Sequence, residues 1–262
     1  MKRIQNIILL TLLLVAFIAQ PVWAANTNSA LLVRATSQYF NAGDSVSLDI
    51  ESDNLTIDMW VKLSQLPSTA GGKMTLLSKG GAYDFYIDVG NKLNFSYTSN
   101  GTTVFTDVIS DSAFFVSDDV GVWVHIATTC VASNKDALLW KNGSEVASTP
   151  TLTGGGAATF WQNSYDVTIG ANITPMFYLD ASIDEVRISD NIRYTETFTP
   201  QTEEFSNDAD TMALWHLNNS VADSSSNGNT LTNNNSATFP TDVPFGEAIV
   251  VIPKRGDIII FE

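Results

Sequence analysis

Residues 55–63 read Leu55-Thr56-Ile57-Asp58-Met59-Trp60-Val61-Lys62-Leu63, with an apolar side chain at every second position. That period is the period of a β-strand, whose successive side chains point to opposite faces, so Leu55, Ile57, Met59, Val61 and Leu63 predict one buried face. The pattern recurs outward in both directions. Phe85, Ile87 and Val89 alternate, then Gly90-Asn91 intervenes, then Leu93, Phe95 and Tyr97 alternate again, which reads as a hairpin. Val122, Val124 and Ile126 form another inward row, and residues 138–141 run through Asn142-Gly143 into Glu145-Val146-Ala147. Asn-Gly between strands suits a type I′ turn, which needs positive φ at both central residues. Apolar residues do not recur at three and four over any long window after residue 24. The sequence therefore predicts an all-β, antiparallel sandwich.

Residues 1–24 read differently. Lys2 and Arg3 precede an apolar run over 7–18 broken only by Thr11, Pro21 follows, and Val22-Trp23-Ala24 supplies a cleavage site before Ala25. This predicts a secretory signal peptide over 1–24, and hence a secreted or cell-surface protein. The run falls short of the roughly 20 residues that span a bilayer, and no later stretch is long and apolar enough, so no membrane insertion is expected after cleavage. Lys2 and Arg3 are two of the 13 basic residues and all 28 acidic ones follow residue 24, so the chain beyond it carries a net charge of −17. Such a surface repels phosphate, which argues against a nucleic-acid partner. Cys130 is the one cysteine, so no intramolecular disulfide forms and stability must come from a large core. Its apolar surroundings predict a buried thiol.

Two loops stand out. One carries Gly154-Gly155-Gly156 and reads as a flexible connection, because no helix follows to make a phosphate site. The other, 218–236, is rich in Asn and Ser and forms turns. Two apolar runs, 248–252 and 257–261, close the chain and are expected to dock, because exposed strand edges aggregate.

Five segments in order resemble the laminin-G-like, concanavalin A-like jelly-roll family. They are Ser37 to Ser45 followed by the strand at 55–63, Thr75-Leu76-Leu77-Ser78-Lys79-Gly80, Trp123-Val124-His125-Ile126-Ala127, Leu139-Trp140-Lys141-Asn142-Gly143, and Ser182-Ile183-Asp184-Glu185-Val186-Arg187-Ile188-Ser189. The resemblance implies a jelly-roll sandwich over 25–205. Leu214-Trp215-His216-Leu217-Asn218, with residues 223–229 and Phe245-Gly246-Glu247-Ala248, looks like the stretch that usually opens such a domain, here displaced to the end. Segment 206–262 is therefore expected to complete the sandwich, the alternative being the start of a second domain.

Strand periodicity puts Ser182, Asp184, Val186 and Ile188 on one, inward, face and Ile183, Glu185 and Arg187 on the other. Asp184 then needs a partner, because an unpaired buried charge is costly. The resemblance implies a structural Ca2+ held partly by Asp184, with Asn41 and Asp44 as further ligands; hydrogen bonding by backbone N–H groups is the alternative. Glu185 and Arg187 are expected to pair. Trp161, Tyr165 and Tyr178, on loops, are candidates to stack on sugar rings, or else pack as a satellite apolar cluster. Catalysis finds little support: no Gly-x-Ser-x-Gly elbow is present, the Glu-x-Asp-x-x-Glu run of related glycosidases fails at Thr56, and two separated histidines make no zinc cluster. The expectation is a non-catalytic binding module for a glycan or a cell-surface partner. The alternatives are an adhesive component of an extracellular assembly and, more remotely, a glycoside hydrolase with a carboxylate pair across strands.

Overall fold

The computed structural model describes residues 26–174 and 176–245. The expected signal peptide over 1–24 and the two terminal apolar runs lie outside the described residues. The strands follow in chain order as β1 (Ala30–Leu32), β2 (Tyr39–Gly43), β3 (Asn54–Leu63), β4 (Met74–Lys79), β5 (Tyr83–Ile87), β6 (Leu93–Thr98), β7 (Phe105–Ser110), β8 (Val124–Val131), β9 (Asp136–Lys141), β10 (Ser144–Val146), β11 (Ser148–Thr153), β12 (Val167–Ile169), β13 (Ala181–Ser189), β14 (Thr211–Trp215) and β15 (Thr232–Asn234). Among the described residues, helix is confined to one four-residue turn, Pro67–Ala70, and short 3-10 turns. No helix among the described residues is long and apolar enough to cross a membrane.

Two antiparallel sheets face each other. The first runs β1-β13-β3-β8-β9-β10, with β14 also on β13; the second runs β11-β7-β6-β5-β4-β12-β2-β15. One edge of β13 pairs with β3; the other is shared, β1 pairing with 181–183 and β14 with 186–189. At the far side β15 pairs with β2, so residues 211–234 contribute a strand to each sheet. The hairpins predicted at Gly90-Asn91 and Asn142-Gly143 join β5 to β6 and β9 to β10. Asn142 and Gly143 both have positive φ, as a type I′ turn requires.

The alternating residues of β3 do what their period demands. Leu55, Ile57, Met59, Val61 and Leu63 are buried between the sheets against Ile183, Val186 and Ile188 from β13 and Phe85, Phe95 and Tyr97 from the second sheet. Cys130 joins this core as a free, buried thiol. The opposite face of β3 is also covered. Residues 190–206 cross over it as a strap, bringing Tyr194 and Phe198, stacked at 3.7 Å, and Phe205 over His125 and Trp140. Thr56 Oγ1 donates to the Asn191 carbonyl and accepts from Arg193 N–H, which anchors the strap's start.

A bulge in β13 overturns the expected facing of its residues. Asp184 stands opposite Trp60 and Arg187 opposite Asp58, so Glu185 and Val186 together oppose Met59. Glu185 takes φ +51°, the left-handed region. The extra residue shifts the phase of alternation. Ile183 and Val186 both enter the core, while Asp184 turns to the outer side with Trp60 and so does not share a face with Val186 and Ile188. Glu185 and Arg187 do not pair with each other either. Arg187 forks onto Asp58 at 3.0 and 2.6 Å, and Glu185 meets His216.

Candidate functional site

The outer face of the second sheet carries no strap comparable to that on the first among the described residues. Its register aligns one residue from each strand into a row. Reading across, Thr151 pairs with Asp107, Asp107 with Ser96, Ser96 with Asp84, Asp84 with Ser78, Ser78 with Thr168, Thr168 with Asn41, and Asn41 with Thr232. Every member is polar and small. At the 4.8 Å spacing of strands the row extends over about 34 Å. Ser78 and Thr168 form its buried floor, and Asp107, Ser96, Asp84 and Asn41 are half-buried.

Aromatic rings border this row. One hollow of ≈ 360 Å³ is lined by Tyr39, Asn41, Tyr165, Asp166, Thr168 and Ile173. A smaller one, ≈ 120 Å³, lies beside it with Lys73, Ser78, Asp84, Tyr86 and Asn172, and Ile173 belongs to both. Lys73 Nζ sits 4.1 Å from the centre of the Tyr86 ring and 4.8 Å from that of Phe177. Such a cation–π contact holds these rings at the rim. Asn41 Nδ2 donates to Asp166 at 2.8 Å, and Ser78 Oγ donates to Asp84. Burial pushes the Asp84 carboxyl above its ordinary range, against the Ser78 hydrogen bond and the Lys73 charge, with Asp107 adding to the rise. Burial, reinforced by Asp107, Asp84 and Asp88, pushes the Tyr86 phenol up to about 12. Tyr86 therefore stays a neutral donor at neutral pH.

The three loop aromatics singled out in the sequence all flank this face, in different states. Tyr165 is 48% exposed. Tyr178 lies against Tyr39, ring centres 6.3 Å apart, and Arg34 Nη1 donates to its carbonyl. Trp161 meets Tyr165 edge-on but lies over Gly81 and Gly101, where a Cβ would come within 2.8 and 2.2 Å of its ring. Trp161 thus packs as support and Tyr165 stands free to stack. Tyr39 and Tyr86 border the same face. Each is a tyrosine at the outward phase of a strand whose alternate residues are buried, but nothing local in the sequence tells an outward face that binds from one that is merely wet.

Asp184, Asn41 and Asp44 are not brought together. Asp184 belongs to the outer side of the first sheet, where Asn26 Nδ2 donates to it at 2.9 Å and Glu185 N–H at 3.0 Å. Asn41 belongs to the outer face of the second sheet, and Asp44 accepts from Lys79. Burial pushes the Asp184 carboxyl up to about 9 despite the Asn26 hydrogen bond, with Glu185 and Glu204 adding to the rise. These three residues share no partner and do not make a common ligand set for Ca2+.

These features define a class: an antiparallel jelly-roll sandwich with one strapped face and one polar, tyrosine-bordered face. The family model described as Concanavalin A-like lectin/glucanases superfamily, a laminin-G type, matches residues 34–197, and the chain belongs to that family. Among solved structures, it resembles a candidate carbohydrate-binding protein from Bacteroides ovatus ATCC 8483, with 14% identity and a TM-score of 0.58 over 85% of this chain. This chain spans 62% of that protein's length. A heptameric pentraxin from Limulus polyphemus, 8% identical, aligns over 84% of this chain and 97% of its own with a TM-score of 0.49. A sialidase CBM40 from Ruminococcus gnavus bound to sialyllactose, 13% identical, aligns over 64% of this chain and 94% of its own with a TM-score of 0.43. No curated protein matches.

Proposed function

We propose that this protein is a secreted, non-catalytic carbohydrate-binding module that lays a neutral glycan along the polar row of its second sheet. The observation that carries this reading is the continuous row of small hydroxyl, amide and carboxylate side chains bordered by Tyr39, Tyr86 and Tyr165. Sugar rings present flat C–H faces to aromatic rings and hydroxyls to carboxylates and amides, so both sets of groups are used at once. Among the described residues that line the two hollows, Asp84 and Asp166, with Asp107 in the row beside them, face one cation, Lys73, and this balance disfavours anionic sugars. The family and the Bacteroides ovatus neighbour, itself a candidate carbohydrate binder, support the reading. Secretion rests on the signal-like residues 1–24 of the sequence.

The test is a glycan array with the untagged chain from residue 25 onward, followed by calorimetry on the strongest hits. Neutral oligosaccharides are expected to bind, and Tyr86→Ala and Tyr165→Ala to weaken them. A chain that binds no glycan, or whose binding ignores both substitutions, contradicts the proposal. Release of reducing ends from a bound glycan would contradict its non-catalytic part.

A further inference from the structure

The bulge in β13 does more than break an alternation. It turns Glu185 to the outer side of the first sheet, where two other segments converge on it. His216, the residue after β14, points Nδ1 at the Glu185 carboxylate, 2.9 Å from each oxygen. Glu204, from the end of the strap, completes a group whose ligand atoms all lie within 4.8 Å of one another. The Glu185 side chain is fully buried and that of His216 is 21% exposed, so the group is enclosed on one side and reachable from solvent on the other.

The surroundings orient these side chains and leave capacity unused. Phe205 N–H donates to Glu185 Oε2 at 2.7 Å, and Asn218 Nδ2 donates to Glu204 Oε1. Asp184, next in sequence, is held by Asn26. Asn26 is itself buried, and its Oδ1 has no donor among the described residues. Two glutamates face one imidazole here, and the nearby guanidinium of Arg187 is committed to Asp58. A simple ion pair would need one carboxylate; the second leaves the site short of positive charge.

We propose that Glu185, Glu204 and His216 bind a first-row divalent transition metal ion of the zinc class, which clamps the strap and the end of β14 onto the bulge of β13. One imidazole with two carboxylates is a donor set for zinc, cobalt or manganese, whereas calcium takes an all-oxygen cage of six to eight ligands. Three protein ligands leave a fourth position for water on the solvent side of His216. Phe205 N–H, donating to Glu185, and Asn218, donating to Glu204, form the outer shell that such sites use to orient their ligands. The site lies on the opposite side of the sandwich from the sugar face, so it stands independently of the proposed function. It also replaces the calcium set expected from the sequence with a different ligand group and a different metal.

The experiment uses the full chain from residue 25 onward, untagged and stripped with chelator. Zn2+, Mn2+ and Ca2+ are titrated by calorimetry, thermal midpoints are measured with each, and Co2+ is added as a visible-absorption reporter. Zn2+ is expected to bind at one ion per chain. At a hundred times its Kd, it is expected to raise the midpoint by about 5–10 °C, because it binds only the folded state. Glu204→Gln and His216→Gln, both at partly exposed positions, are expected to weaken binding at least tenfold and to abolish the midpoint shift and the cobalt absorption band. His125, the one other histidine, is enclosed by aromatic rings and does not compete. The proposal is overturned by absence of saturable one-to-one Zn2+ binding, by Ca2+ binding more tightly than Zn2+, or by unchanged affinity in whichever substituted chain retains the wild-type far-ultraviolet spectrum.

Discussion

Replacing Asp58 by asparagine isolates the strongest polar contact beneath the strap. Asp58 and Arg187 are directly opposite on β3 and β13, their side chains 0% and 4% exposed. Arg187 donates through Nε and Nη2 at 3.0 and 2.6 Å, Tyr194 donates its phenol to the same carboxylate at 2.7 Å, and the guanidinium lies 4.4 Å from the Phe205 ring centre. An amide in place of the carboxylate would keep the volume, remove the charge, and turn donors toward donors. Breaking one partner of a buried pair costs about 3–5 kcal/mol, because the other charge stays buried and unpaired. At about 2–4 °C per kcal/mol for a chain of this size, the midpoint falls by about 6–20 °C. Urea unfolding followed by tryptophan fluorescence gives the free energy and a melt gives the midpoint. The double replacement Asp58→Leu with Arg187→Met should recover most of the loss, because similar volumes of apolar side chain often substitute for a buried ion pair without penalty. The same pair sets an acid limit. Burial alone would raise the Asp58 carboxyl, but the Arg187 charge and hydrogen bonds outweigh it and hold the group well below the usual carboxylate range. The folded value lies below the unfolded one, so the contribution is complete above about pH 4 and drains as pH falls from there toward the folded value. A loss below about 1 kcal/mol in Asp58→Asn, or an acid-unfolding curve that the substitution leaves unchanged, would refute the assignment of this pair as the anchor of the strap.

Tyr86→Ala and Tyr165→Ala should each weaken a bound neutral glycan by up to about tenfold, the contribution of one aromatic face, while leaving the melt of the ligand-free chain within a few degrees for the exposed Tyr165. Asp84→Asn should raise stability at neutral pH: with the folded pKa raised, the carboxyl's favourable contribution is present below its unfolded value and lost as pH rises through the folded one. The gain should therefore vanish near pH 3 in paired melts of the two chains, and a gain that persists there would contradict the assignment. Gly101→Ala places a Cβ 2.2 Å from the Trp161 ring at φ +73°, and should cost about 1–3 kcal/mol in urea unfolding. A neutral result would mean that Trp161 does not rest on this glycine.

Much of the fold was legible in the sequence. Alternation in residues 55–63, 85–87 and 93–97 named the buried faces of β3, β5 and β6, because strand period is a local property of the backbone. The rows predicted to take in Val89 and Val122 stop short of both: these are 58% and 52% exposed in the turns after β5 and before β8, where the strand period no longer holds. The Asn142-Gly143 turn was legible for the same reason, since only its own φ angles decide it. Tyr165 and Tyr178 could be picked out as loop aromatics, but Trp161 could not be told apart from them, because its support comes from Gly81 and Gly101, 60 and more residues away in the chain.

What the sequence could not hold was register. Asp107, Ser96, Asp84, Ser78, Thr168 and Asn41 are unremarkable as outward residues of six different strands; they become one row only when β7, β6, β5, β4, β12 and β2 align. Nor does any period reveal a bulge. One extra residue at Glu185 reversed the phase of β13, sent Asp184 to the outer side, matched Arg187 to Asp58 and brought Glu185 to His216 and Glu204. Alternation is fixed by bonds between neighbours in the chain and so can be read along it. Which strands lie side by side, and where one slips by a residue, is fixed by packing between segments far apart in sequence, and only the tertiary structure decides it.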